Sequence, residues 1–438
     1  MEYPKIIYGY VLINEQKFAF ALDNFRLRIF NGVTGFTFPK KLNLDDVLFG
    51  LTDNNYNIAI KIINPQQSIN CIVASVYYFV IGTANTKSYD LSKFHKVSFV
   101  GGDINSIIDP TIIYENDFSF DYCEKPFSIK FKPVKEVSYS IQTNINNTDV
   151  KFERTIYPYQ KKSENNLGIT NSVLSFEFQE EQDVSSLDKW ILFVLRLITL
   201  LVGQKNVECE SCSILFNANQ NLGSAKVYFN LGHKEKCNKK PIKCVPLIKL
   251  DNHLENLLKI VNDENFSIDF LPETNNDAKY ITYDDIKNIC TALEFEYGIS
   301  DICKQKNQDI KELVDKVKLE VKSFRETTTK LSDKFYQYIN SNINTWQCPA
   351  TEKFITLLKE NEILIIKVLK NKNEKLCEDD IQKFVKCRNC ITHGEKPVLD
   401  SSIAKTAFSL KYVIYIYILK RIGLTDNEIY TLLRLVWL

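Results

Sequence analysis

The sequence has almost no surplus charge of either sign: 55 lysines and arginines face 54 aspartates and glutamates, a formal net charge of +1. This excludes a chain coated in positive charge, so any nucleic-acid contact has to be local, made by particular side chains. Glycine is scarce at 14 residues, and no stretch forms a phosphate loop of the Walker or Rossmann kind. Nucleotide hydrolysis and dinucleotide redox chemistry are therefore not expected. Twelve cysteines are thinly spread over 438 residues, and the opening MEYPKIIYGYVLINEQ lacks the basic start and small-residue cleavage pattern of a signal peptide. A reduced, cytoplasmic protein is expected. Long apolar runs are also few. WILFVLRLITLLVG from Trp190 carries Arg196 at its middle, and YVIYIYIL from Tyr412 is too short to span ~30 Å of hydrocarbon. Both read as buried core helices, and no membrane contact is expected.

What is present suits packed cores: 45% of residues are hydrophobic, and the length fits two or three domains. Up to about Gln179, FRLRIF, NIAIKII, FHKVSFV, FSIKFKPV and SVLSFEF alternate apolar with polar residues, as half-buried strands do. A helix near 186 to 203 follows, then strand candidates VECESCSILF and AKVYFNL. Residues 1–245 thus read as a β-rich domain with one buried helix. Residues 246–280 include the polar stretch NDENFSIDFLPETNNDAKYIT and read as a connecting segment. From 281 to 438 the period becomes helical, first in Ile286, Ile289, Leu293 and Tyr297, then in Leu313, Val317 and Val321. Helices near 351 to 370 and 402 to 421 complete a bundle. The expected fold class is α+β and multidomain, a β-rich N-terminal domain followed by an all-α bundle.

One helix carries unusual chemistry. Glu378, Asp379 and Asp380 suit the positive end of a helix dipole, Lys383, Lys386 and Arg388 the negative end, and Gly394 with Pro397 supplies a stop. A helix from about 377 to 393 results, with Ile381, Phe384 and Val385 as its apolar stripe. One heptad beyond Ile381, Arg388 occupies that stripe, where a permanently charged guanidinium replaces a core residue. His393 follows five residues later, about 140° around an ideal helix. The two side chains can converge only if the helix ends near His393 or if two copies of it meet.

RNCITH at 388 to 393 resembles the RNxxxH signature of HEPN ribonucleases, and the following glycine suits their Apea-like branch. TALEFEYG falls where the first helix of such a domain would lie. The opening YGYVLINEQKFAFALDNFRLRIFNG resembles the β-rich domain that precedes Apea-like HEPN domains in bacterial abortive-infection proteins. The resemblance implies a metal-independent endoribonuclease that uses no cofactor and cleaves cellular RNA, transfer RNA among the candidates, leaving a 2′,3′-cyclic phosphate. It further implies a homodimer through the helical domain, with higher assembly left open, and an N-terminal sensor responding to a phage-derived trigger. Arg388 would present two donors to phosphate oxygens, Asn389 would orient the phosphate or the imidazole, and His393 would act as general acid or base.

Two other function classes compete. One is a HEPN pair that only dimerises and binds nucleic acid. The other is a zinc-dependent regulator built on Cys209, Cys212, His233 and Cys237, with Cys244 in reserve; if VECESCSILF is a strand, however, the first two cysteines point to opposite faces. Cys387, Cys390 and His393 form a CxxCxxH run with no evident fourth ligand, so the two cysteines read as packing residues. His95 and His253 read as structural or surface histidines. Glu294, in TALEFEYG, is either a carboxylate partner of Arg388 or a solvated helix residue.

Overall fold

The computed structural model describes residues 6–30, 47–68, 71–82, 90–117, 128–132, 137–159, 169–218, 221–230, 244–274, 276–327, 332–344, 348–371, 373 and 375–434. The fold is α+β, with a sheet-rich N-terminal region and an all-helical C-terminal region. It divides into two compact units, one of Met1–Val202 with Asn206–Asp263 and the other of Gly203–Lys205 with Glu264–Leu438.

In the first unit, β1 (Ile7–Ile13), β2 (Gln16–Asp23) and β3 (Arg26–Phe30) form an antiparallel meander. β4 (Val47–Thr52), β5 (Asn57–Gln67) and β6 (Cys71–Gly82) continue it. Because β1 also pairs with β4, and β6 with both β3 and β5, the six strands close on themselves. Among the described residues, closure leaves none of these six strands as a free edge. Inside, Val11, Phe20, Leu27, Ile29, Ile58 and Ile60 are essentially shielded from solvent. Their alternation with outward polar or aromatic residues is the period of two seen in the sequence. The seam between β1 and β4 needs glycine. A Cβ on Gly9 would lie 2.1 Å from the carbonyl oxygen of Leu51, and one on Gly50 2.0 Å from that of Tyr10.

The C-terminal half of β6 joins a second antiparallel sheet of β14 (Asn221–Phe229), β13 (Ser211–Ala218), β7 (Lys93–Val100), β12 (Ile169–Asp183), β11 (Thr148–Tyr159) and β10 (Tyr139–Ile145), in that order. β8 (Tyr114–Asp117) and β9 (Ser128–Phe131) form a separate pair, and α1 (Ile104–Ile107) is a single short turn. α2 (Leu187–Val202) lies in the core of this unit: Trp190 meets Phe178 and Phe176 at centroid distances of 4.7 and 5.3 Å. The apolar run expected as a core helix is one.

The segment expected as a connection falls on both sides of the division between the units. The turn at Leu247–His253 and α3 (Leu254–Asn262) belong to the first unit, because buried Arg154 donates to both carboxylate oxygens of Asp251 and Tyr139 donates to its carbonyl. Residues 264 to 280 belong to the second, where Phe270 packs edge-on against Tyr415 and Pro272 accepts from the backbone of Lys205.

The second unit centres on α4 (Tyr283–Ile299), α7 (Ala350–Glu360), α9 (Glu378–Thr392) and α10 (Ser401–Ile422). α8 (Glu362–Asn371) and α11 (Asp426–Leu433) pack on α10, and α5 (Asp301–Thr327) with α6 (Asp333–Asn344) forms a hairpin adjoining α4. The apolar run near 351 to 370 is two helices, because Asn361 leaves helical backbone at φ −119°. The stripe of α5 also differs from the expected one: Val314 is buried, whereas Leu313 is 52% exposed. α10 is the one helix among the described residues long and apolar enough to cross a membrane, but 72% of its apolar window is buried inside the protein. Tyr417 fixes it to α7, donating to the carbonyl of Leu357 and the carboxylate of Glu360, both at 2.7 Å.

Candidate active site

α9 begins and ends as its sequence requires. Asp380 accepts from the backbone N–H of Cys377 at 3.0 Å, closing a capping box, and Glu378, Asp379 and Asp380 fill the first turn. At the other end the helix stops at Thr392. Gly394 takes φ +84°, its N–H donates to Ile391, and the N–H of Glu395 donates to Cys390 at 2.9 Å. This pair of bonds is a Schellman motif, which satisfies carbonyls that the helix leaves unpaired. His393 is therefore the C-cap, at φ −85° and ψ 9°. The helix thus ends next to His393, at the stop that Gly394 was expected to supply.

Between the caps, Ile381, Phe384, Val385, Cys387 and Ile391 are buried. Arg388 lies beside that stripe, with its side chain 28% exposed. One guanidinium nitrogen stands 3.6 Å from Glu294 on α4, and another donates to the Asn389 side-chain oxygen at 3.3 Å. Glu294 is thus a carboxylate partner of Arg388 and not merely a solvated helix residue. Beneath the pair is Cys290, whose thiol burial pushes up to about 12 against the pull of the Arg388 guanidinium. Asn389 and His393 are both exposed. Among the described residues, the His393 side chain makes no hydrogen bond or ion pair, so both ring nitrogens are available. α4 also steadies the chain just past the site, since the Tyr283 hydroxyl donates to the carbonyl of Pro397 at 2.9 Å.

The protomer thus offers a planar cation, an amide and an unengaged imidazole over the last two turns of one helix. A guanidinium can hold phosphate oxygens by two parallel bonds, and an imidazole can move a proton near neutral pH. The chain supplies a single imidazole at this helix end. Proton removal at one oxygen and proton delivery at another, on opposite sides of a phosphorus, need two such groups.

Among the described residues the cysteines are not gathered into a metal-holding group. Cys387 is buried, which raises its thiol pKa, and Cys390 is raised chiefly by its hydrogen bond to Glu395. In the other group, strand β13 starts only at Ser211, so the argument that Cys209 and Cys212 face opposite ways does not apply. Both are buried free thiols: burial pushes Cys209 up to about 12, and Cys212 is raised by burial and then by Cys209 itself. Cys244 donates to the carbonyl of Ser106 at 2.9 Å. His233 and Cys237 lie outside the described residues. Among the described residues no group of three His, Cys, Asp or Glu side chains is placed to hold a metal ion.

Sequence reasoning passed over one charged pair near the site. Glu296, two residues beyond Glu294, is 1% exposed and accepts from Arg421 at 2.7 Å. Burial pushes its carboxyl up to about 7, opposed by that arginine. The available signal was phase, since Leu293, Glu296 and Tyr297 share the buried face of α4. No protein-family model, curated protein or solved structure matches this chain.

Proposed function

We propose that the chain is a metal-independent endoribonuclease of the HEPN type, with Arg388, Asn389 and His393 as its working residues. The observation that carries this reading is the end of α9. The Schellman stop places His393 as an unengaged C-cap beyond Arg388, which is anchored by Glu294 and left partly open to solvent. A helix that merely needed to end would not require an arginine at the edge of its stripe held by a carboxylate from another helix.

In the reaction, the ribose 2′-oxygen attacks the adjacent phosphorus and loses its proton to a base. The bond from phosphorus to the 5′-oxygen breaks, and that oxygen takes a proton from an acid. The products are a 2′,3′-cyclic phosphate and a free 5′-hydroxyl. Arg388 stabilises the charge gathering on the non-bridging oxygens, worth about 10²–10³ in rate for a preorganised donor. His393 serves as acid or base, and Asn389 orients the phosphate. A homodimer brings two α9 ends to one cleft, so that one imidazole serves on each side of the phosphorus.

The biological role follows from what such an enzyme would do unchecked: it would destroy its own cell's RNA. The β-rich unit is its sensor, released by a phage-derived trigger, and the cleavage of transfer or other cellular RNA takes place in the cytoplasm as an anti-phage response. The test is incubation of total bacterial RNA with purified protein in excess EDTA, comparing wild type with Arg388→Ala and His393→Ala. Discrete fragments ending in 2′,3′-cyclic phosphate, lost in both variants, are expected. Cleavage that survives both substitutions, or that EDTA abolishes, overturns the assignment. If purified wild type is silent, toxicity during phage infection that depends on Arg388 and His393 must appear; otherwise the module that only dimerises and binds is the better reading.

A further inference from the structure

The stretch that opens the chain folds into β1, β2 and β3, and its outward face is unlike an ordinary solvated sheet. Inward residues alternate cleanly into the barrel core. Outward, β1 presents Tyr8, Tyr10 and Leu12, of which Tyr8 is 51% exposed, and β3 presents Arg26, Arg28 and Phe30. Between them β2 presents the small residues Ala19 and Ala21. The register sets Tyr8, Ala21 and Arg28 in one row across the three strands, and Tyr10 opposite Ala19. With strands about 4.8 Å apart, the alanines leave a shallow trough roughly 10 Å wide between an aromatic wall on β1 and a wall of arginine and phenylalanine on β3.

We infer that this trough binds single-stranded nucleic acid, its aromatic rings stacking on bases and its cations meeting phosphates. Charge supports that occupant. Lys17, Arg26 and Arg28 stand on the face against Asp23, which is register-paired with Arg26, and exposed Asp53, whose N–H donates to the Tyr8 carbonyl at 2.8 Å on the far side of β1. The cations thus lie on the β2 and β3 side of the trough, a local arrangement, which is the form nucleic-acid contact has to take on a chain that is nearly neutral overall. Lys17 lies 4.5 Å over the Tyr10 ring, so a base arriving on Tyr10 displaces an ammonium that is then free to follow the phosphate. Tyr8 and Tyr10, two residues apart on a strand, are about 6.8 Å apart, a spacing that suits successive unstacked nucleotides. A duplex hides its base faces and gives these rings nothing to stack on. The site is on the barrel and does not depend on the ribonuclease reading.

The test is fluorescence anisotropy of the full chain with labelled oligonucleotides of about twelve residues, a length that single-strand-binding grooves span. One is a 2′-O-methyl RNA, whose blocked nucleophile cannot be cleaved, and the other a DNA of matching sequence; comparing them identifies which nucleic acid is preferred. Both single strands are expected to bind, with a duplex competing poorly. Tyr8→Ser combined with Tyr10→Ser should weaken binding by roughly tenfold or more. Arg28→Gln should flatten the salt dependence by about 0.7 in log–log slope, and Arg28→Lys should restore it. The loss caused by Tyr8→Ser with Tyr10→Ser should be as large in an Arg388→Ala background as in the wild type, which separates this surface from the α9 site whether or not the protein cleaves RNA. Absence of binding, binding indifferent to the β1 and β3 substitutions, or binding lost with Arg388 alone overturns the inference.

Discussion

Replacing Glu294 by glutamine tests whether that residue positions Arg388 or reacts itself. The carboxylate lies 3.6 Å from the guanidinium, with the two side chains 33% and 28% exposed. At that distance two unit charges attract by about 1 kcal/mol in a water-like dielectric and several times more in a drier one. Exposure of about a third on each side puts this pair near the wet limit, where measured values are ~0.2–1 kcal/mol. Glutamine keeps the shape and one acceptor oxygen and removes the charge. The fold should therefore lose no more than about 1 kcal/mol, and Arg388 should lose its anchor without losing its own function. In single-turnover cleavage of labelled RNA with EDTA present, Glu294→Gln should slow the reaction by less than about fivefold, that same energy expressed as a rate. Arg388→Ala, which removes the charge at the phosphate itself, should slow it by ~100-fold or more. If Glu294→Gln is as damaging as Arg388→Ala, the carboxylate acts on the reacting atoms and its assignment as a positioning residue is wrong.

Three further outcomes follow from particular contacts. Glu296 titrates near 7 in the fold against an ordinary 4.5, so its contribution to stability is full below about pH 4.5 and lost as pH rises through 7. The difference in urea stability between wild type and Glu296→Gln should accordingly shift against wild type by about 3 kcal/mol between pH 4.5 and 8; a flat difference would refute the buried-carboxyl account. Gly9→Ala should destabilise the barrel by ~1–3 kcal/mol or more, because its Cβ meets the Leu51 carbonyl at 2.1 Å, whereas Gly298→Ala, with open space around its Cβ, should stabilise α4 by up to about 1 kcal/mol; thermal melts showing the same sign for both would contradict the seam geometry. Gly394→Ala forces a Cβ into a φ of +84° and should cost about 1 kcal/mol through backbone strain, with RNA cleavage falling further than stability because the C-cap carrying His393 shifts; unchanged cleavage would separate the Schellman stop from the chemistry.

Much of α9 was legible in the sequence because its information is local. Three acids at one end, a glycine at the other and an apolar stripe at helical period fix where a helix starts, stops and faces; the two ends were found as expected, while the buried stripe continues through Cys387 and Ile391 with Arg388 beside it. The alternation in β1 to β3 and the burial of the run from Trp190 were legible for the same reason. The stripe of α5 was misread by one residue because Leu313 and Val314 are adjacent. A period of 3.6 does not say which of two neighbours faces the core until α6 is in place.

Pairings between residues far apart in the chain belong to the tertiary structure. The sequence by itself determined that an arginine borders an apolar stripe and that a histidine closes the same helix, since both are statements about position along one helix. It determined the two kinds of periodicity, and hence the α+β class. Only the fold decided that Glu294 answers Arg388, that Glu296 and not its neighbour is buried against Arg421, that β1 meets β4 across two glycines, and that tyrosines of β1 face arginines of β3 over a row of alanines. Each of these depends on which elements lie side by side and in what register, and register is set by the packing of the whole core.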